Sequence, residues 1–193
     1  MLYNPVKSIQ FYTNIYPENI IINVGRLAPD KKYLLKAFSK LNRNDWKLVI
    51  LGDGSLRKDL EQLADSLNIK NQIYMTGAVS TVDEWLARAS IFAFPSISER
   101  FPNALLEAMA AELPCISFDC DAGPRDIITN GKNGFLVKLY DIESFSDKLE
   151  QLTDNIDQRK KIGSLAKLYA NRFNINNISV KFLDFITNNS ECK

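Results

Sequence analysis

The chain has 193 residues, of which 46% are hydrophobic and 24% charged, values typical of a globular protein with one sizeable core. Its formal net charge of +1 provides no basic field for nucleic acid, so we expect no nucleic-acid partner. The sequence contains no histidine, which excludes a histidine base, a histidine triad or a histidine metal ligand within this chain.

Hydrophobicity and cysteine content narrow the class of protein further. No apolar run approaches the roughly 20 residues that a membrane-spanning helix needs, and the first stretch, M-L-Y-N-P-V-K, lacks a signal-peptide pattern. Three cysteines, Cys115, Cys120 and Cys192, form neither a disulfide framework nor the spacing of a metal site. We therefore expect a protein of the reducing cytoplasm.

Short apolar strands alternate with amphipathic helices along most of the chain. The predicted strands cover residues 20–24, 47–51, 72–75, 91–95, 114–118 and 135–137, and the predicted helices begin near residues 30, 56, 81, 102, 141, 157 and 176. This alternation predicts an α/β fold, a doubly wound Rossmann-like parallel sheet in a single domain over residues 19–187. Residues 1–18 are interpreted as a linker remnant and residues 188–193 as a disordered tail.

Polar residues indicate where two of the helices begin. Ser80 or Thr81 can cap the helix that follows, and Glu84 is placed to complete a capping box with Thr81. Pro102 and Asn103 mark another start, because proline suits the first helical positions and asparagine can accept hydrogen bonds from free backbone amides.

The turn after the first strand, G-R-L-A-P-D-K-K, carries two cations at the start of a helix. Gly25 lets a ligand approach the backbone, Arg26 offers a planar fork of donors, and Lys31 offers a point charge. Because cations at a helix amino terminus oppose the helix dipole, an anion between them would remove the conflict. We favour a phosphate site here over a pair of ordinary surface charges.

The stretch S-I-S-E-R-F-P-N-A-L-L-E-A-M-A-A-E follows the fourth predicted strand. It places Glu99 in a turn and Glu107 one turn into a helix, at the end of the strand where open α/β folds bind ligands. The backbone amides at the helix start, those of residues 103–105, are expected to be unpaired and suit a phosphate, and carboxylates accept hydrogen bonds from sugar hydroxyls.

This stretch resembles the signature of the family 4 retaining glycosyltransferases, in which two glutamates flank a Gly-Phe-Pro-type turn. The matching residues are Glu99, Phe101, Pro102, Asn103, Glu107 and Ala108, and Arg100 replaces the usual glycine. The turns G-R-L-x-x-x-K and G-D-G-x-L match the same family in the same order. Residues 20–186 therefore resemble the donor-binding, carboxy-terminal domain of a two-domain GT-B glycosyltransferase.

The resemblance implies transfer of a sugar from a nucleotide diphosphate sugar, UDP by family habit, to a glycan or lipid-linked acceptor. The transfer would retain the anomeric configuration and use no metal and no cofactor. Arg26 and Lys31 would stabilise the leaving diphosphate, Glu99 would hold a hydroxyl of the donor sugar, and Glu107 would hold the ribose. The further donor-binding residues that the resemblance implies are Gly25, Gly52, Gly54, Thr76, Gly77, Phe101, Pro102, Asn103, Ala104 and Leu105.

A second turn, D-C-D-A-G-P-R-D, borders the donor sugar in the family. Gly123 and Pro124 would shape this loop. Asp126 is either a ligand residue or the cap of a following helix, and the sequence leaves both open.

Residues 3–6 resemble the interdomain linker of the family, so we expect the acceptor site to lie on an amino-terminal domain in the same or a separate chain. Through that domain the protein would associate peripherally with the inner face of a membrane, and without it transfer would be weak or absent. The alternatives are one half of a split enzyme, or a nucleotide-binding or interaction module without transferase activity. A hydrolase or dehydrogenase is disfavoured, because the chain has no nucleophile elbow, no third glycine and no histidine.

Overall fold

The computed structural model describes residues 17–175, 177–179 and 186–187. Within them six strands form one parallel sheet in the order β3-β2-β1-β4-β5-β6. The strands are β1 (Ile20–Val24), β2 (Lys47–Leu51), β3 (Ile73–Gly77), β4 (Ile91–Phe94), β5 (Cys115–Asp119) and β6 (Phe135–Lys138). This arrangement confirms the predicted doubly wound Rossmann-like sheet.

Helices connect the strands and cover both faces of the sheet. They are α1 (Lys31–Lys40), α2 (Arg57–Ser66), α3 (Val82–Arg88), α4 (Asn103–Ala110), α5 (Pro124–Ile127), α6 (Ile142–Asp154) and α7 (Ile156–Ala170), with short 3₁₀ turns at Lys70–Gln72 and Asn171–Phe173. The central strands are buried on both sides, which is why they read in the sequence as continuous apolar runs rather than as alternating ones.

Two hydrophobic cores lie on opposite faces of the sheet. Ile21 points into the core that α1, α2 and α6 cover, whereas Ile20 and Ile22 point into the core that α3, α4 and α7 cover. The predicted apolar stripe of α1 lies in the first core, with Leu34, Leu35, Phe38 and Leu41 all buried. The sheet is therefore held rigidly between two layers, and its loops are free to form a site at the carboxyl ends of the strands.

Two predicted helix caps are wrong. The chain enters α3 after Thr81 and α4 after Pro102, near the predicted places, but no side-chain hydrogen bond caps either helix and Glu84 completes no capping box. Thr81 has a ψ of 56°, outside the extended conformation of capping residues. Asn103 is itself the first helical residue, so its side chain does not precede the amides that it would have to reach.

Three sequence interpretations lie wholly or largely outside the described residues: the linker remnant, the tail, and most of the helix predicted for residues 176–186. None of the helices in the described part of the chain combines the length and apolarity that crossing a bilayer requires.

Candidate functional site

The order of the strands reverses direction between β1 and β4, and there the carboxyl ends of the two strands part. The ladder between these strands pairs Ile21 with Ile91 and Ile22 with Phe92, in the first half of each strand. Beyond them the side chain of Asn23 donates from Nδ2 to the carbonyl oxygen of Ala93 at 2.8 Å. Such a switch point is where open parallel sheets bind ligands, because the diverging loops leave a crevice.

A cleft of about 250 Å³ occupies this position, and we name it the β1–β4 cleft. Its walls are the loop after β1, with the start of α1, and the loop after β4. It brings three predicted site residues of the loop after β1, Gly25, Arg26 and Lys31, together with Glu99 of the loop after β4. The cleft therefore places two predicted cations and the predicted Glu99 carboxylate around a shared space, together with the carboxylate of Asp30.

The two cations of the cleft differ in their surroundings. Arg26 is exposed, whereas Lys31 is buried and its Nζ lies 2.6 Å from Oδ2 of Asp30, which is also buried and also lines the cleft. We expected an anion to relieve the cations at this helix start, and the protein itself supplies one to Lys31. The sequence shows that Asp30 is the acidic neighbour of Lys31. It does not show that the two form an ion pair, because the pair forms only if both side chains turn towards the cleft.

A residue of the same loop holds the side chain of Glu99. Ser96 donates from Oγ to Oε1 of Glu99 at 2.7 Å, and both residues line the cleft. Sequence reasoning did not single out Ser96 as a functional residue. The sequence signal that could have indicated Ser96 is its position three residues before Glu99. In a loop, however, this spacing brings two side chains together only if the backbone turns.

The loop after β5 also reaches Glu99. A Cβ atom added to Gly123 would lie 3.2 Å from Cβ of Glu99 and 3.1 Å from Cδ of Pro102. Burial raises the pKa of the Cys120 thiol in the same loop, and the negative charge of Glu99 adds to that rise. Asp126 accepts at Oδ2 from the amide of Gly123 at 3.1 Å, so it acts as a cap and supports the turn. Of the two roles left open for Asp126, the structure shows the cap.

The predicted glycines after β1 and β2 serve the contact between loops. A Cβ on Gly52 would lie 2.1 Å from the carbonyl oxygen of Gly25, and one on Gly54 would lie 2.6 Å from that of Leu27. Gly52 also donates its amide to the carbonyl of Gly77 at 2.9 Å. A side chain at either position would collide with this backbone, so these glycines let the loop after β2 pack against the loop after β1.

Arg57 joins the end of β3 to the G-D-G turn, a role that sequence reasoning missed. Its Nη1 donates to the carbonyl oxygen of Met75 at 3.0 Å, and its Nε approaches Oδ1 of Asp53 at 3.3 Å. The amide of Gly54 lowers the pKa of Asp53, and Arg57 lowers it further. Arg57 also lines a larger groove of about 370 Å³ between α2 and β3, but neither cation of the β1–β4 cleft lines that groove. Thr76, on the same strand, is exposed.

The start of α4 offers fewer free amides than we expected. The amide of Asn103 donates to the carbonyl of Phe101 and the amide of Leu105 to that of Pro102, both at 3.1 Å. Within the described chain, the Ala104 amide is the one of the three without an acceptor. The tight turn at the proline uses the other two, so the expectation of three free amides is wrong.

The other residues of the predicted signature around the start of α4 differ in burial and contacts. Pro102 and Leu105 are buried, Phe101 packs against Phe173 with ring centroids 6.2 Å apart, and Arg100 is exposed. Glu107 is half-buried on α4 and is not among the residues that line the β1–β4 cleft. The described residues contain no group of three or more acidic or cysteine side chains that could hold a metal ion.

Comparison with known proteins gives consistent matches. A Campylobacter jejuni GalNAc-alpha-(1->4)-GalNAc-alpha-(1->3)-diNAcBac-PP-undecaprenol alpha-1,4-N-acetyl-D-galactosaminyltransferase is 31% identical over 194 residues, covering 96% of this chain and 54% of its own length. A TarM variant from S. aureus, solved with Fondaparinux, alpha-GlcNAc-glycerol and UDP, superposes with a TM-score of 0.84 at 25% identity and covers 95% of this chain and 38% of its own.

A lipopolysaccharide outer core galactosyltransferase, WaaB in its apo form, superposes with a TM-score of 0.83 at 28% identity. That match covers 98% of this chain and 55% of WaaB, so this chain spans roughly half the length of such relatives or less. The sequence model of the family described as Glycosyl transferases group 1 matches residues 7–169. With this match over most of its length and a GT-B type Rossmann-like fold, the chain belongs to the glycosyl transferases group 1 family.

Proposed function

We propose that this chain is the donor-binding domain of a retaining family 4 glycosyltransferase, and that the β1–β4 cleft binds the diphosphate and sugar of a UDP-sugar. The observation that carries the proposal is the convergence of Arg26, Lys31 and Glu99 on one cleft at the switch point of the sheet. The C. jejuni relative is named for transfer to an undecaprenol-linked glycan, and TarM was solved with UDP. A lipid-linked glycan is therefore the acceptor class that we propose.

The charges of the cleft suit the chemistry of sugar transfer. As the bond between the sugar and the diphosphate breaks, negative charge accumulates on the diphosphate, and Arg26 and Lys31 are placed to stabilise it. The acceptor hydroxyl forms the new bond to the same carbon, and its proton leaves with the diphosphate. Cations already stand where a metal ion would otherwise neutralise the phosphates, so we propose metal-independent transfer.

The residues around the cleft receive roles on this proposal. Glu99 accepts a hydrogen bond from the donor sugar, Glu107 from the ribose, and the free amide of Ala104 donates to a phosphate oxygen. Gly25 permits the diphosphate to approach the backbone after β1. The end of β3 at Thr76 and Gly77 borders the nucleobase.

Complete transfer would need an amino-terminal acceptor domain, in the same or a separate chain, because this chain spans only part of its relatives. We place the protein in the cytoplasm, at the inner face of the membrane where that domain would meet a lipid-linked acceptor. The alternative is a nucleotide-binding module without transferase activity. It is favoured by the exposed Arg100, which stands where the resembled signature has glycine.

Calorimetric titration with UDP tests the donor site directly. Arg26→Ala should weaken UDP binding about tenfold, because a charge-assisted hydrogen bond to phosphate is lost. Arg26→Lys should recover only part of the affinity, since a point charge replaces a fork of donors. The matched control is Lys36→Ala, which removes a cation from the exposed face of α1.

Equal UDP affinity in the wild type, Arg26→Ala and Glu107→Ala would refute the donor site. The transferase role is tested separately, by adding a purified amino-terminal domain of a relative and measuring release of UDP. Binding without any release would favour the nucleotide-binding module.

A further inference from the structure

We propose that Ser96 and Gly123 are positioning residues that fix the Glu99 carboxylate in the β1–β4 cleft, Ser96 by a hydrogen bond and Gly123 by close packing. This inference rests on the proposed role of Glu99 in binding the donor sugar. Neither residue needs to touch the ligand, because each acts through the glutamate.

Ser96 restrains one of the two carboxylate oxygens. Its hydroxyl lies 2.7 Å from Oε1 of Glu99 and 3.3 Å from the carbonyl oxygen of Ser98, so the carboxylate is the closer acceptor of its single proton. From the described residues Oε2 of Glu99 accepts no hydrogen bond. One oxygen is thus occupied and oriented, and the other keeps its acceptor capacity for a ligand hydroxyl.

Gly123 restrains the glutamate at its base. It has a φ of +88°, which L side chains rarely adopt, and the position that a Cβ would take lies against both Glu99 and Pro102. A Cβ there would lie within 3.2 Å of both neighbours and would push the loop that carries Glu99. The hydrogen bond from the Gly123 amide to Asp126 holds this turn in place.

The chain contains a matched control for each residue. Ser164 donates to Oε1 of Glu112 at 2.8 Å, which is the same chemical contact at a site remote from the cleft. Gly131 has a φ of +76°, but an added Cβ there would meet no atom within 4 Å. Ser164→Ala therefore reproduces the loss of a serine–carboxylate bond, and Gly131→Ala reproduces the backbone strain without the collision.

The test is calorimetry on the full chain with UDP and, separately, with UDP-galactose, UDP-N-acetylgalactosamine and UDP-glucose. For the sugar that the wild type binds best, Ser96→Ala should lower the affinity roughly fivefold, as expected for one lost hydrogen bond, while UDP affinity stays unchanged. Ser96→Thr should restore it, because the hydroxyl returns. Gly123→Ala should show a similar selective loss, and both control variants should match the wild type.

The outcomes separate this inference from the proposed function. If the wild type binds UDP and prefers a UDP-sugar, but Ser96→Ala binds both as the wild type does, the positioning role is refuted and the donor site remains. An equal loss for UDP and UDP-sugar would mean that Ser96 supports the whole loop, which also refutes it. Should the wild type bind no UDP, or no UDP-sugar better than UDP, the sugar role of Glu99 falls and the inference with it.

Discussion

Two glutamates in this chain accept a hydrogen bond from a serine at nearly the same distance, yet their surroundings differ. Ser96 lies 2.7 Å from Glu99, and Ser164 lies 2.8 Å from Glu112. The second oxygen of Glu112 is also occupied, by Nζ of Lys167 at 3.0 Å, so serine and lysine together satisfy that carboxylate. The second oxygen of Glu99 accepts no hydrogen bond from the described residues, and Glu99 lines the β1–β4 cleft.

The difference shows how one contact can serve stability in one place and binding in another. Glu112 follows α4 with a φ of +66°, and its bonds to α7 hold the two helices together at a strained backbone position. A carboxylate whose partners are all internal has little left to offer a ligand. We infer that the number of unoccupied acceptor positions, rather than the presence of a serine, distinguishes a binding carboxylate from a structural one.

The ion pair of Lys31 and Asp30 gives the largest expected effect, because it combines features of both glutamates. Both side chains are almost completely buried and pair with each other, as in a structural ion pair, and both residues also line the cleft. Lys31→Ala should destabilise the fold by about 3 kcal/mol, since it leaves the Asp30 carboxylate buried without its partner. Urea denaturation measures this loss, and calorimetry should show UDP binding greatly weakened.

Asp30→Asn separates the contribution of the ion pair to stability from its effect on UDP binding. It removes the negative charge that faces the proposed diphosphate but keeps an oxygen that can accept from Lys31, so UDP affinity should rise about threefold. A fall in affinity would contradict this and would mean that the charge of Asp30 is needed to hold Lys31 in place. The matched control is Asp154→Asn, which changes an exposed acid far from the cleft.

The same substitution, glutamate to glutamine, made separately at the two glutamates gives the next effect. Glu99→Gln should weaken binding of the UDP-sugar about tenfold with little change in stability, because the amide presents a weaker acceptor to the sugar. Glu112→Gln should leave binding unchanged and lower stability slightly. Calorimetry and urea denaturation on both variants check the pair, and any loss of sugar affinity in Glu112→Gln would break the comparison.

Much of the fold could be predicted from the sequence because strands and helices here follow hydrophobic pattern closely. The runs at Ile20 and Ile91 predicted buried strands, and the stripe at Leu34 and Phe38 predicted the buried face of α1. Asn103 could not be placed correctly from residue type alone. Its role depends on where the backbone turns at Pro102, which composition does not specify.

The candidate site was predictable only as far as its motifs reached. Arg26, Lys31 and Glu99 follow from local patterns, and the structure places all three around one cleft. The supporting contacts depend on loops that meet in space: Gly123 lies 24 positions after Glu99 and approaches it only because β4 and β5 are neighbours. The buried Oδ1 of Asn23 has no hydrogen-bond partner among the described residues. This unpaired acceptor could likewise be found only from the structure.

The smallest expected effect concerns pH and the structural glutamate. The hydroxyl of Ser164 lowers the pKa of Glu112, and Lys167 lowers it further. Because the folded-state pKa lies below that of the unfolded chain, the stabilisation is present above the ordinary value of 4.5 and is lost as the pH falls through the folded value. The glutamate is partly exposed, so solvent screening limits the contribution to about 0.5 kcal/mol.

NMR titration of the Glu112 carboxyl carbon measures this effect directly. Ser164→Ala should raise the pKa of Glu112 towards 4.5, since it removes the largest cause of the shift, and Lys167→Ala should raise it by less. Urea midpoints of the wild type and Glu112→Gln should differ at pH 7 and converge as the pH falls below the folded-state pKa of Glu112, where protonation makes the two side chains equivalent in charge. A difference that persists unchanged in acid would show that Glu112 stabilises the α4–α7 contact by packing rather than by charge.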